Sequence, residues 1–433
     1  MIDQILETLN FSSLNEMQEE TLKSFRREDN ILILSPTGSG KTLAFLLPVL
    51  EKLKPESLYV QSVIIVPSRE LGLQISQVFK SMKTSFKVTV CYGGHDMHVE
   101  KNNLINPPAL LIGTPGRLVD HIQKNNIDVG RVETLVLDEF DKSLEFGFEN
   151  EMKRILNHMP NIKKRILTSA THAVKVPGFL GMKDYCKLDY SGEQIPLQLS
   201  LKMVRADAND KFEAVVKLLG KIGHESVLVF CNHKDAVSRI SELLRNREIS
   251  HVTFHGNLEQ DQRERALIKF RNGSVKIMIT TDLASRGLDI PEVRYVVHYQ
   301  LPPKEEAFIH RNGRTARMEA SGTAYLVIGE RESLPDYLSS SPEEELLEDF
   351  QQPAEPEWET LYISGGRKDK INKVDIVGWL LKKGQLDQKD VGKIEVKDFG
   401  SYIAIKKDKV KALIPMIINE KLKKKKVKIQ VSN

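Results

Sequence analysis

The sequence predicts an α/β protein: two tandem parallel-sheet domains followed by a small α+β C-terminal domain. Three observations predict it. Short apolar runs alternate with helical stretches in two successive sets, which is the order a parallel sheet requires. The first run leads into a Gly-Ser-Gly-Lys-Thr loop and then an apolar helix. The last stretch, 357–433, changes composition: it holds 19 Lys and Arg against 10 Asp and Glu, while the rest of the chain holds 44 against 49. A basic module on a mildly acidic body points to a polyanion partner.

The 433 residues suffice for two or three cores, and 40% hydrophobic with 28% charged residues describes an ordinary globular chain. Cys91, Cys186 and Cys231 lie far apart, a pattern that excludes a disulfide framework or a thiolate metal motif and fits reduced thiols. The start Met1-Ile2-Asp3-Gln4 lacks a cationic leader, and no apolar run reaches the length of a membrane span. The expectation is a cytoplasmic monomer without membrane contact.

The first set opens with an apolar strand at 31–34, then Ser35-Pro36-Thr37-Gly38-Ser39-Gly40-Lys41-Thr42, then helix. Glycines let backbone N–H groups approach an anion, and the helix N-terminus adds partial positive charge. Thr37, Gly38, Ser39 and Gly40 cradle phosphate, Lys41 reaches the β and γ phosphates, and the Thr42 hydroxyl holds Mg²⁺. Ser35 stands where the common pattern has its first glycine. An ordinary glycine turn would need neither the preceding buried strand nor the Lys-Thr pair. The loop therefore implies a bound nucleoside triphosphate.

Further strands at 63–66, 109–112, 134–137 and 165–168 each deliver a polar cluster at the carboxyl end, where open parallel sheets bind ligands. Asp138 follows a buried strand and suits the second Mg²⁺ anchor; Glu139 beside it can orient and deprotonate an attacking water. Two acids at a buried strand end would be costly without a cation. Upstream, Gln18 carries an amide able to read an adenine edge with donor and acceptor together.

The second set has strands at 226–230, 252–254, 275–279, 295–298 and 324–328, and no second phosphate loop. Its polar clusters include Arg263, Thr280-Thr281-Asp282 and His310-Arg311-Asn312-Gly313-Arg314-Thr315-Ala316-Arg317. Arg314 and Arg317, three apart on one helical turn, suit a transferring γ-phosphate.

Taken together, Ser35 to Thr42, Pro67 to Leu71, Gly93-Gly94, Thr114 to Arg117, Asp138-Glu139-Phe140-Asp141, Ser169 to Thr171, Gln260 to Arg263, Thr280 to Asp289 and His310 to Arg317 resemble, in order and spacing over 10–330, the DEAD-box branch of superfamily 2 RNA helicases. The resemblance implies two RecA-like domains, 1–205 and 206–330, that close on ATP and single-stranded RNA. It makes Phe11 and Gln18 the adenine-sensing pair and Asp289 a ribose contact. Ser169 and Thr171 couple hydrolysis to strand separation. Arg69, Gly94, Thr114, Arg117, Arg263, Thr281 and Arg286 lie near the RNA backbone, contacts that position a strand without reading its sequence. Two departures stand out: Phe140 replaces the family's Ala, and Asn10, Leu14 and Asn15 replace the usual Gly, Pro and Thr around the adenine motif.

Residues 331–356, with four prolines and Glu343-Glu344-Glu345, read as an acidic solvated linker. The module 357–433 then shows β-α-β-β-α-β order, an RRM-like sandwich. Phe399 and Tyr402 match the stacking motif of such sheets only partly, so they are either base-stacking aromatics or strand and core residues. The loop Arg367-Lys368-Asp369-Lys370 and the lysine-rich tail 421–426 offer phosphate contacts. Gly365-Gly366-Arg367-Lys368-Asp369-Lys370 and Val391-Gly392-Lys393-Ile394 resemble the RNA-binding domain of the bacterial DbpA subfamily. That resemblance implies tethering to a hairpin of large-subunit ribosomal RNA and a role in ribosome assembly. The expected function is an ATP-dependent RNA helicase. The rivals are a general RNA helicase with a non-specific basic tail and a non-catalytic RNA-binding protein whose ATPase has decayed.

Overall fold

The computed structural model describes residues 2–36, 38–170, 175–190, 199–206, 211–285, 290, 293–315, 322–338, 340–347, 351–423 and 425–432. It divides into two compact units that part at Gln194 and Ile195.

The first unit is built on seven parallel strands: β1 (Asn30–Leu34), β2 (Ser62–Ile65), β3 (Val88–Cys91), β4 (Leu110–Gly113), β5 (Thr134–Leu137), β6 (Lys164–Ser169) and β7 (Cys186–Asp189). Their order across the sheet is β3-β4-β2-β5-β6-β1-β7. Central strands are buried on both faces, so they read as unbroken apolar runs such as Ile31-Leu32-Ile33-Leu34. Helices cover both sides and make two cores, one around Phe25, Phe45 and Phe79, the other around Leu118, Phe140 and Met152.

The order matters for function. Strands β5, β6 and β1 are neighbours, so the residues after them converge at one part of the sheet's carboxyl edge. Strands β3, β4 and β2 are neighbours too, and the residues after them form the adjoining part.

The second unit repeats the plan with β8 (Leu199–Ala206), β9 (Val227–Phe230), β10 (Val252–Phe254), β11 (Ile277–Thr280), β12 (Tyr295–His298), β13 (Gly322–Gly329) and β14 (Glu343–Glu344), in the order β10-β11-β9-β12-β13-β8-β14, all parallel. Two expectations are corrected here. Residues 199–205 belong to this sheet and not to the first domain, because β8 pairs along its full length with β13. The acidic stretch is also more than a solvated spacer. Its strand β14 covers the edge of β8, and its charge is met by Lys202, Lys221 and Arg205, which pair with Glu345 and Glu344. An open sheet edge invites unwanted pairing, and a charged strand closes it.

The C-terminal part of this unit is an antiparallel sheet of β15 (Trp358–Ile363), β16 (Val391–Val396), β17 (Ser401–Lys406) and, after a short hairpin of β18 (Lys421–Leu422) and β19 (Lys425–Lys426), β20 (Ile429–Val431). Helices Lys373–Lys383 and Lys407–Ile417 pack on one face, burying Leu361, Ile363, Ile376, Trp379, Ile403 and Leu413. Period-two alternation sends Trp358, Thr360, Tyr362 and Tyr402 to the opposite face. That face lies against helix Gln260–Arg271 and the turn after it. Asn272 donates to Thr360 Oγ1 at 2.9 Å, Thr360 donates to Ser274 at 2.8 Å, Arg271 pairs with Glu395 at 2.7 Å and Lys397 with Glu264 at 2.7 Å.

Candidate functional site

The nucleotide-side residues gather where β5, β6 and β1 end. Gly38 and Gly40 both take φ of +90°, a left-handed turn that suits glycine and turns the loop between β1 and helix Lys41–Lys52. Lys41 is buried and folds back on its own loop, donating to the carbonyls of Ser35 and, at 2.7 Å, Pro36. The Ser35 hydroxyl donates to Ser39 at 2.6 Å, and its N–H donates to Ser169 O at 3.1 Å. Ser35 therefore does what the missing glycine could not: it bridges the two limbs of the loop and joins it to β6. Thr42 is half-buried at the helix start.

Asp138 and Glu139 follow β5 and are both buried. Thr168, at the end of β6, ties the pair together: its hydroxyl donates to Asp138 Oδ1 and accepts from the Glu139 N–H at 3.0 Å. Glu139 sits at φ +49°, a strained position for a non-glycine residue at the start of helix Phe140–Glu145. Burial pushes the Asp138 carboxyl above its ordinary range, while the Thr168 hydrogen bond and Lys41 act the other way and Asp141 adds to the rise. A buried acid with an unfavourable charge, facing a lysine and a threonine hydroxyl, fits a site completed by a divalent cation on phosphates.

The adenine-side segment is docked on the same loop. Asn15 and Gln18 form a reciprocal cap on helix Glu16–Arg27. From that cap Asn15 donates to Ser39 O at 3.0 Å and Gln18 to Gly40 O at 3.3 Å. Asn15, a departure from the family pattern, is thus a capping residue that also grips the phosphate loop. Phe11 is more than half exposed.

The expected RNA-side residues gather where β2, β4 and β3 end. Arg69 starts helix Arg69–Ser81, capped by Ser68, and its guanidinium lies 4.1 Å over the Tyr92 ring. Gly94 takes φ +79° in an open turn after β3. Thr114 caps helix Pro115–Gln123, its N–H bonded to Cys91 O, and Arg117 on that helix donates to His95 O at 2.8 Å.

In the second unit Arg314 is buried, while Arg263, in the first turn of helix Gln260–Arg271, and Thr281, just after β11, are half-buried. Arg311 is the residue that the sequence reading passes over. Fully buried, it bonds Asp282 at 2.6 Å, the Gln300 carbonyl at 2.7 Å and Asn232 Oδ1 at 2.8 Å, clamping the carboxyl ends of the adjacent strands β11, β12 and β9. Its signal was an arginine in the middle of a polar cluster, indistinguishable in sequence from its two neighbours. Thr37, Thr171, Arg286, Asp289 and Arg317 lie outside the described residues.

In the C-terminal domain Arg367, Lys368 and Lys370 are exposed on one loop, whose backbone is held by Lys397 O and Asp398 O. Tyr402 packs on Tyr362 with its ring tilted and the centroids 5.1 Å apart on the inward-facing sheet surface, and its hydroxyl is pushed up to about 12, first by burial and then by Glu264 and Tyr362. Phe399 is exposed. Among the described residues no helix is long and apolar enough to cross a membrane.

Comparison with known proteins finds three family models along the chain. The DEAD/DEAH box helicase model matches residues 15–177, the helicase conserved C-terminal domain 210–319, and the DbpA RNA binding domain 360–431. The ATP-dependent RNA helicase DbpA of Escherichia coli is 29% identical over 413 residues, covering 93% of this chain and 90% of that one. DeaD of Mycobacterium tuberculosis and CshA of Bacillus cereus are each 32% identical; the chain spans 58% and 64% of their lengths. Among solved structures, Saccharomyces cerevisiae Dbp5 bound to RNA and ADP BeF3 matches with a TM-score of 0.67 at 27% identity, covering 76% of this chain and 88% of that one. The DEAD-box helicase Mss116 bound to ssRNA and UDP-BeF matches at 0.69 and 25% identity, covering 80% and 78%. With these three models matched in series, the chain belongs to the DEAD-box family of ATP-dependent RNA helicases.

Proposed function

We propose that this chain is a cytoplasmic, monomeric RNA-stimulated ATPase that opens short RNA duplexes while its C-terminal domain holds large-subunit ribosomal RNA, during ribosome assembly. The observation that carries the targeting is the C-terminal domain itself: it matches the DbpA RNA binding domain and leaves Arg367, Lys368 and Lys370 exposed on one loop. With the sheet face engaged by helix Gln260–Arg271, RNA contact through that loop and the lysine-rich tail is the favoured route.

In this reading Gly38, Ser39, Gly40 and Lys41 bind the ATP phosphates, and Gln18 and Phe11 face the adenine. Thr42 and Asp138 hold Mg²⁺, which supplies charge neutralisation on the phosphates. Glu139 orients water and takes its proton; its backbone, pinned through Thr168 to Asp138, keeps the two carboxylates in fixed register. Ser169, joined to Ser35, passes the state of the loop to β6. Arg314 is the second domain's cation for the developing charge. Arg69, Gly94, Thr114 and Arg117 hold the RNA backbone from the first domain, Arg263 and Thr281 from the second.

The decayed-ATPase alternative is disfavoured by Lys41, Asp138, Glu139 and Arg314, all present and buried. The test is steady-state ATP hydrolysis without RNA, with random single strands, and with large-subunit rRNA fragments, on the full chain and on a chain ending at Glu357. Stimulation restricted to one rRNA fragment and lost on truncation is expected. Equal stimulation by every RNA overturns the targeting, and no stimulation at all overturns the helicase activity.

A further inference from the structure

Cys91, Glu100 and His121 meet in the first domain, all buried, with ligand atoms within 4.8 Å of one another. A cysteine, a carboxylate and an imidazole so placed could be a metal centre. The hydrogen bonding says otherwise. Glu100 Oε1 accepts the Tyr92 N–H at 3.1 Å, and Oε2 accepts His121 Nε2–H at 2.8 Å with Arg117 Nη1 3.5 Å from the same atom. Asn126 donates to His121 Nδ1 at 3.2 Å, which fixes the tautomer and occupies the other ring nitrogen. Burial holds the Cys91 thiol well above its ordinary range, so in this arrangement the sulfur is a neutral thiol. Carboxylate and imidazole are both already spent.

A buried carboxylate needs a cation, and Arg117 is the one beside it. We infer that Glu100 is a positioning residue for RNA binding: its carboxylate fixes the Arg117 guanidinium and the turn from Tyr92 to Gly94 in their RNA-ready arrangement. Arg117 is held at Nη1 by Glu100, with Met97 Sδ 3.6 Å away, and at Nη2 by His95 O. On its other oxygen Glu100 holds Tyr92, whose ring packs on His95 at 5.2 Å and carries Arg69. His95 Nδ1 lies 3.2 Å from Oε1, out of hydrogen-bonding direction. One side chain thus links the ends of β2, β3 and β4, the three that bear Arg69, Gly94, Thr114 and Arg117. Such an arrangement is set before RNA arrives, so less order has to be imposed on binding.

The inference rests on Arg117 being an RNA contact, and the test separates the two claims. The RNA concentration giving half-maximal ATPase is measured for wild type, Glu100→Gln, Arg117→Ala and the double variant, with zinc content determined on each full-length protein. Gln keeps the shape, loses the charge and points an amide at donors. It should raise the half-saturating RNA concentration about tenfold in wild type, through loss of the ion-pair restraint on Arg117. In the Arg117→Ala background it should add almost nothing. An equal added loss in both backgrounds makes Glu100 merely structural and overturns the inference. So does a Glu100→Gln variant that matches wild type while Arg117→Ala does not. If Arg117→Ala itself matches wild type, the RNA-contact reading falls, and the inference with it. Stoichiometric zinc, lost in Cys91→Ser, overturns it in favour of a metal centre. Should Glu100→Gln fail to fold, Asn126→Ala leaves Glu100 in place and frees the far side of His121, together with a long contact to Met97 Sδ. That variant should give about a twofold rise, again absent without Arg117, and equal losses in both backgrounds would overturn the inference.

Discussion

Asp138 carries an energetic cost that its chemistry requires. An acid whose pKa is higher folded than unfolded binds its proton more tightly in the fold. Its contribution is therefore most favourable at low pH and declines as pH rises from the unfolded value towards the folded one. Asp138→Asn removes that penalty. In Mg²⁺-free buffer at neutral pH its unfolding midpoint should rise, by roughly 2–4 °C per kcal/mol recovered. RNA-stimulated hydrolysis should fall about 100-fold or more. Thermal unfolding with and without MgCl₂, beside steady-state hydrolysis, checks both; a variant with wild-type turnover would remove Asp138 from the metal site. Phe140 makes the complementary case. It is 1% exposed in the core with Leu118 and Met152, where it fills volume beside the acid pair without displacing it. Restoring the family's Ala by Phe140→Ala should cost about 3 kcal/mol through the cavity left behind, with no gain in turnover. Urea unfolding measures the first and hydrolysis the second; a faster enzyme would mean that Phe140 restrains catalysis.

At the scale of elements, the strands legible in the sequence are those buried on both faces. Residues 134–137 and 295–298 stand where the apolar runs put them, and the polar clusters after them land at the carboxyl edge. The apolar-run criterion passes over β3, whose burial alternates, and β7 and β8, which lie at or next to a sheet edge and carry lysine and serine. It also passes over β14, two glutamates whose strand character comes wholly from pairing with β8. Periodicity reports burial, and an edge strand has little of it. The nucleotide residues were legible because glycine, lysine and paired acids are rare together. Thr168, Arg311 and Glu100 were not, because their roles exist only once separate strands lie side by side. The same clamp yields a pH prediction. His298, at the end of β12, is buried between Phe308 and Phe230, bonded to Asn312 and beside Arg311, and burial followed by Arg311 lowers its pKa to about 3. A base with a depressed folded pKa stabilises the fold above its unfolded value near 6.5, and that stability is lost as pH falls towards 3. The loss should run at about 1.4 kcal/mol per pH unit, roughly 2 kcal/mol between pH 6.5 and 5. Chemical unfolding of the wild type and His298→Gln at both pH values checks it; equal slopes would mean that another group titrates.

On the scale of the whole chain, the packing of the C-terminal sheet on helix Gln260–Arg271 sets what that domain can do. The Arg271–Glu395 pair is largely buried, 14% and 17% exposed, so it is worth more than a surface ion pair. Arg271→Glu places two acids together and should undock the sheet, loosening helix Gln260–Arg271 to hydrogen exchange and weakening the packing by about 3 kcal/mol. Adding Glu395→Arg should restore protection; if protection in Arg271→Glu equals wild type, the interface has no energetic weight.

The acidic segment with β14 has a further consequence, one of reach. Because β14 is sewn to β8 and the Gln351 backbone lies against helix Lys211–Ile222 at Gly220, the slack in front of the C-terminal domain is only the chain from Gln351 to Trp358. Fully stretched, that leash spans about 25 Å. A domain tied so short cannot search distant RNA while the helicase works elsewhere; it marks a neighbourhood. The duplexes this enzyme opens should be those lying within a few nanometres of the RNA it already holds, selected by geometry before any base is read.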